Sequence, residues 1–288
     1  MKKLIILAIA AVGLLACKGQ NEPVAKDGTL SGKFSVSPTT QVQFSRGNLQ
    51  YQASTQTWRF AENQYEVLLM SNEKISPNYE GWIDLFGWGS GNNPTNNSTD
   101  NNDYSIFTDW GVNAISNGGN KANLWRSLTN DEWAYLFYTR ASAAFLFGLG
   151  NVYGINGTII LPDNWSTPQG ATFTPSITRG LVDKGDYYYN NKDREANNYL
   201  DNTYTAEQWS IMESAGAVFL PCGGFRRATS VTVESDKDGR CRIGNYWSTI
   251  PINENRAYNL CFNPYSLYPQ GYAARDYGVS IRLVKDVQ

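Results

Sequence analysis

The 288-residue chain contains no histidine. That excludes Ser-His-Asp and Cys-His nucleophiles, histidine-ligated zinc or haem, and an imidazole switch near neutral pH. Charge is also scarce: Asp, Glu, Lys and Arg make up 17% of the residues, and the net charge is −2. A weakly acidic balance is wrong for a protein that holds nucleic acid by neutralising phosphates, so no nucleic-acid partner is expected. What is abundant is aromatic. Nine Trp, 18 Tyr and 12 Phe give 14% aromatic residues, which argues against disorder. The chain also holds 29 Asn. Asparagine favours turns and left-handed positions and is poor inside helices, so a loop-rich, mostly β globule is the first expectation.

Residues 1–16 read as a signal peptide. Lys2 and Lys3 form a positive start, and Leu4 to Ala16 is an unbroken run of apolar and small residues. The run is shorter than the ~20 residues of a membrane-spanning helix and fits an export signal. It ends Leu14-Leu15-Ala16-Cys17, which resembles a bacterial lipobox. That resemblance implies cleavage before Cys17, acylation of Cys17, and membrane attachment through this lipid anchor. The expected location is the bacterial cell envelope. No Asp follows Cys17, so the outer membrane is the expected membrane. Residues 17–30 are polar with Pro and Gly and read as a flexible tether, leaving 31–288 as a single domain. Three cysteines remain: Cys222, Cys241 and Cys261. An exported compartment permits one disulfide among them, with Cys241–Cys261 favoured because both lie in segments that read as neighbouring strands.

Apolar–polar alternation over Phe34–Ser37, Val42–Phe44, Leu49–Tyr51 and Trp58–Phe60 predicts a meander of short antiparallel strands, and Tyr65 to Met70 is a denser apolar run. Residues 92–103 hold eight Asn or Asp in twelve and cannot pack as a core element, so a surface loop is expected. Asp100-Asn-Asn-Asp103 lacks the alternating ligands and central glycine of an EF-hand, so neither calcium nor another cofactor is called for. Two capping boxes then predict helices, Thr129-Asn-Asp-Glu132 and Thr205-Ala-Glu-Gln208, the second closed by Gly216. Between them lie a strand-like Thr158–Leu161 and a Tyr-rich, charged loop around residues 183–204. Ala217–Leu220, Tyr246–Thr249, Ala257–Phe262 and Val279–Val284 read as strands, separated by loops. The basic cluster Arg226, Arg227, Arg240 and Arg242 could meet an anionic ligand, but with Glu234, Asp236, Lys237 and Asp238 it reads rather as a solvated mixed-charge hairpin. Trp247 reads as a buried strand residue.

The order of strands, helix, loop, helix and closing antiparallel strands resembles a C-type-lectin-like fold, of the α+β class. Trp125-Arg-Ser-Leu-Thr-Asn-Asp-Glu-Trp133 resembles the helix start of the formylglycine-generating-enzyme-like branch. Phe219-Leu-Pro-Cys-Gly-Gly-Phe-Arg226, Gly244-Asn-Tyr-Trp-Ser-Thr249, Ala257-Tyr-Asn-Leu260 and Arg275-Asp-Tyr-Gly-Val-Ser-Ile-Arg-Leu-Val-Lys285 form a second set. They resemble Bacteroidetes lipoproteins, the Fibrobacter succinogenes major paralogous domain and the variable proteins of diversity-generating retroelements. The chain departs from the sugar-binding animal lectins, because it carries neither a Glu-Pro-Asn or Gln-Pro-Asp tripeptide nor Trp-Asn-Asp in its body. It departs from the oxidase branch too: neither Cys222 nor Cys241 stands in that family's cysteine setting.

Segment 250–278 interleaves Tyr, Asn, Ser and Arg. Tyr supplies large contact area at low entropy cost, and Asn and Ser supply adaptable hydrogen bonds. The retroelement resemblance implies that this region carries the binding residues: Asn253, Asn255, Arg256, Asn263, Tyr265, Tyr268, Tyr272 and Arg275. Tyr258, Leu260 and Phe262 alternate with them as half core. No catalytic residue is singled out. The expected function is a lipid-anchored recognition protein whose partner is a surface glycan, peptide or protein ligand. The rival readings are a formylglycine-generating-type oxidase using the body's thiols, and a structural or adhesin subunit of a surface assembly.

Overall fold

The computed structural model describes residues 24–175 and 198–287. The signal peptide and Cys17 lie outside the described residues, as does most of the Tyr-rich loop expected around 183–204. The chain is a mixed α+β protein built mostly of small antiparallel sheets with few helices. The meander is present as β1 (Phe34–Ser35), β2 (Gln41–Phe44), β3 (Leu49–Gln52) and β4 (Thr57–Phe60). Alternate side chains of β2 and β4 are buried, as the period-two pattern requires. β5 (Trp82–Ile83) adds to β3. The apolar run Tyr65 to Met70 is not a strand. The chain there is irregular and runs into a 3-10 turn over Leu69–Lys74. Its backbone is held by side chains: Leu68 N–H donates to Asp84 Oδ2, and Asn72 Oδ1 accepts from the N–H groups of Asp84 and Leu85. The Leu68 N–H thus finds a partner without a neighbouring strand, and Asn72 ties the turn to the Asp84–Leu85 backbone.

Both capping boxes form. Thr129 caps α1 (Asn130–Ala134), the Glu132 carboxylate accepts in return from the Thr129 N–H, and the helix continues as a π turn over Tyr135–Thr139. Trp133, Leu136 and Phe137 are buried on one face. β6 (Phe147–Val152) and β7 (Ile155–Ile160) follow as a hairpin. Its tip, Tyr153-Gly154, has φ of 49° and 83°, the positive pair that a tight primed turn needs. β8 (Thr203–Tyr204) pairs parallel with β6. Thr205 caps α2 (Ala206–Ser214), and Gly216 follows the helix at φ 96°. β9 (Val218–Pro221) then completes a sheet of order β8-β6-β7-β9.

This sheet is buried on both faces, which is why its strands read as apolar runs. Phe147, Leu149, Ile160, Val218 and Leu220 face the main core, where α1 also packs. Ile159 and Phe219 point the other way, against Trp209 and Met212 of α2. A third cluster gathers Trp58, Trp88, Trp110, Trp125 and Trp247 with Val279, Ile281 and Leu283. Each such fully buried side chain contributes roughly 1.5–3 kcal/mol.

The last third holds β10 (Phe225–Arg227), β11 (Ser230–Thr232), β12 (Gly244–Pro251), β13 (Arg256–Asn263), β14 (Ser266–Ala274), β15 (Tyr277–Gly278) and β16 (Val284–Asp286). β12, β13 and β14 form an antiparallel sheet, β15 joins β10, and β16 pairs with β2. Three expectations are corrected here. Residues 266–274, read as loop, form the long edge strand β14. Pro269 sits opposite a register irregularity of β13, between the pairs Asn259↔Gly271 and Cys261↔Tyr268, where a strand tolerates the missing N–H. Val279–Val284 is buried but is not one strand, because its bonds go in turn to Phe86, Asn245, Ser45 and Arg126. The tether is shorter at its described end than expected. Val24 bridges Leu30, Leu30 is in the core, and Lys285 Nζ is 2.6 Å from Asp27 Oδ2.

Candidate functional site

The sheet β12-β13-β14 has two unlike faces. Tyr246, Leu260 and Phe262 point into the main core. Asn245 and Cys261, paired across β12 and β13, point the other way. On that side a cleft of about 430 Å³ opens. Its apolar wall is Phe225 of β10 and Tyr277 of β15, with ring centroids 5.1 Å apart and planes 9° from parallel. Arg227 backs the wall: its guanidinium lies 5.7 Å from the Tyr277 ring, and its Nε is 2.9 Å from Asp276 Oδ2. Ile243, Ala273, Ala274 and Val279 add apolar surface. Asn245, Cys261, Asn263, Arg256 and Tyr272 supply the polar groups. Arg256 and Asn263 are the two ends of β13, so at about 3.4 Å per residue the cleft follows a strand of roughly 24 Å.

The eight residues expected to bind ligand separate into groups. Arg256, Asn263 and Tyr272 border the cleft. Arg256 and Tyr272 are exposed, with the guanidinium 5.0 Å from the Tyr272 ring centroid. Asn253 and Asn255 are exposed in the turn between β12 and β13. Asn253 Oδ1 accepts from the N–H groups of Asn255 and Arg256, which holds the turn in shape. Tyr265 lies beyond the Asn263 end, its hydroxyl 2.7 Å from Nη2 of Arg242. Tyr268 is half-buried opposite Cys261 in β14. Arg275 is not available to a ligand. It is 6% exposed, stacks on Trp88 at 4.5 Å, and donates to the carbonyls of Tyr104 and Asn253. Burial lowers its pKa from the ordinary value.

Sequence reasoning missed Phe225, Asn245, Cys261 and Tyr277. The one signal for Asn245 is its place two residues before the buried Trp247 on a period-two strand. Phe225 and Tyr277 carry no local signal, since β10 and β15 meet only in the fold.

The basic cluster is also rearranged. Arg226, expected in a solvated hairpin, is wholly buried, where it donates to the carbonyls of Ala228, Leu85 and Asn96. It thereby anchors the Asn-rich loop to the body. Part of the expected mixed-charge hairpin forms, with Arg240 paired to Asp236 and Asp238 and Lys237 to Asp238, whereas Arg227 pairs with Asp276 and Arg242 bonds to Tyr265.

The favoured Cys241–Cys261 pairing does not form. All three body cysteines are free, Cys222 and Cys241 in the main core and Cys261 on the opposite side of its strand. Burial pushes the Cys241 thiol up to about 11 and Cys261 to about 12, and raises Cys222 as well. A single thiol therefore borders the cleft, held in its protonated, weakly nucleophilic form. Among the described residues no group of three or more Cys, Asp or Glu side chains gathers as a metal site.

Comparison of the chain with protein-family models, curated proteins and solved structures finds no match.

Proposed function

We propose that this chain is a lipid-anchored recognition protein of the bacterial cell envelope, with a C-type-lectin-like domain that holds a surface glycan, peptide or protein ligand. One observation carries the reading. The cleft combines a parallel Phe225–Tyr277 stack with the side-chain amides of Asn245 and Asn263 and the Arg256–Tyr272 pair. Its volume is within the roughly 300–1,000 Å³ of small-ligand sites. Aromatic plates with convergent amides suit a ligand that has apolar faces and polar edges. The element order of strands, helix, helix and closing antiparallel strands supports the fold assignment, and the Ala16-Cys17 lipobox supports the anchor.

The test is an array of glycans and surface peptides probed with the protein from residue 18 onward and with Tyr272→Ala. Tyr272 is 52% exposed, so folding should be unaffected. Array binding weakened tenfold or more by Tyr272→Ala is expected. Binding unchanged by this substitution and by Asn245→Ala would remove the cleft from the site.

A further inference from the structure

The hydrogen-bond bookkeeping of the cleft says more about its occupant. Each of its two amides spends its oxygen inside the protein. Asn245 Oδ1 accepts from Asn259 Nδ2 at 3.3 Å, and Asn263 Oδ1 accepts from the Tyr265 N–H at 2.8 Å. Their Nδ2 groups have no partner among the described residues, so what the amides offer the cleft is donors. No Asp or Glu lines it. One guanidinium borders it, that of Arg256 over Tyr272 at one end. Arg242 does not line the cleft but stacks on Tyr265, 5.3 Å from the ring and two residues past Asn263 in the chain. Neither has a carboxylate within 4.0 Å among the described residues, whereas Arg227, Arg240 and Arg126 are all paired. Of the acids nearest in sequence, Glu254 is exposed in the turn beside Arg256, Asp276 is buried against Arg227, Asp236 and Asp238 pair with Arg240, and Glu234, whose carbonyl accepts from the Arg242 N–H, is exposed.

We infer that the cleft takes a linear anionic oligosaccharide, whose sugar faces lie on the Phe225–Tyr277 wall and whose acidic groups meet Arg256 and Arg242. This deepens the recognition reading and rests on it. Guanidinium–carboxylate or guanidinium–sulfate contacts are the strong, charge-assisted kind. The donor-dominated lining disfavours an extended peptide. A peptide strand brings a backbone N–H for every carbonyl, and the cleft offers those N–H groups few side-chain acceptors. Sugar hydroxyls can rotate to accept and leave their own hydrogens to water. The length of the cleft, along a whole strand, suits an oligomer better than a single ring.

The experiment is titration calorimetry with four probes of similar length: an oligogalacturonate, a sulfated dextran oligomer, neutral maltohexaose and an oligoglutamate peptide. Binding of at least one anionic sugar is expected, weakening with added salt. Arg256→Gln should weaken it about tenfold or more, and Arg242→Gln with Arg256→Gln further still. The oligogalacturonate and dextran arms distinguish carboxylate from sulfate. Arg256 is exposed and Arg242 half-buried, so a thermal melt checks the double variant, and Arg256→Gln alone carries the result if that variant is unstable. Equal binding of maltohexaose, or binding that ignores both substitutions, would overturn the anionic inference while leaving the cleft as a site. Tighter binding of the oligoglutamate would overturn the sugar assignment. Failure of all four probes would overturn the inference, and the Tyr272→Ala array separately decides the recognition reading.

Discussion

Arg256 and Arg275 stand close together, on either side of one turn, yet they do opposite things. Arg275 runs under the turn, stacks on Trp88 and holds the Asn253 carbonyl from inside. Arg256 leaves the same turn outward and lies on the exposed Tyr272 ring. The contrast extends across the molecule. Arg226 and Arg282 are buried like Arg275 and are held by carbonyl oxygens: Ala228, Leu85 and Asn96 for the first, Ser45 and Phe219 for the second. Burial pushes the Arg282 pKa down to about 10. Asp84 is the acidic counterpart in the interior, held by the Leu68 N–H and the Asn72 amide, with its pKa raised by burial to about 6. Arg226, Arg275, Arg282 and Asp84 are thus held by neutral groups and tie loops to the core, whereas buried Arg140 and Asp276 are ion-paired with Asp163 and Arg227. The charges at the cleft are stacked on tyrosine and left open.

That division can be broken at its buried side first. Arg282→Ala removes the donors to two carbonyls on separate segments and leaves a cavity, so a loss of about 3 kcal/mol in urea unfolding is expected, with ligand binding per folded molecule unchanged. A loss under about 1 kcal/mol would mean that water replaces the guanidinium. Asp84 gives a pH signature. Its folded pKa lies above the unfolded value, so its contribution is most favourable at low pH and is lost as pH rises from about 4 through 6. Unfolding free energies of the protein and of Asp84→Asn, measured between pH 4 and 7, should converge or cross accordingly, and parallel curves would contradict the burial account. Arg275→Ala should cost about 1–3 kcal/mol and speed amide exchange in residues 252–256, because it frees the turn. Arg256→Gln, on the open side, should change stability by less than about 0.5 kcal/mol while weakening binding. The smallest effect is expected at Cys261. Its thiol, raised to about 12, should react slowly with iodoacetamide at pH 8, and more slowly still with ligand in the cleft.

The helices were legible because their signals are local: Thr129 with Glu132 and Thr205 with Gln208 fix each helix start within four residues. The alternating strands at 42–44, 58–60 and 257–262 were legible for the same reason. β14 was not, because Pro269 and the surrounding Tyr, Gln and Gly look like a loop until the irregular register opposite Leu260 supplies a place for proline. The burial of Arg226 is not legible because Arg227 beside it is an exposed partner of Asp276, and nothing in Phe225-Arg-Arg distinguishes the buried arginine from the open one. Three of the eight candidate residues border the cleft. Composition singles out segment 250–278, which supplies part of the cleft's border, but the aromatic wall comes from β10 and β15, which only the fold brings together.

The proposed binding surface is one side of the β12-β13-β14 sheet, and not the other exposed apolar surfaces. Hydrogen–deuterium exchange with and without a saturating anionic oligosaccharide tests that most directly. Protection concentrated in residues 243–246, 256–263 and 272–279 is expected. Protection concentrated instead around Phe145, Tyr153 and Ile211, exposed on the far sheet and α2, would contradict it.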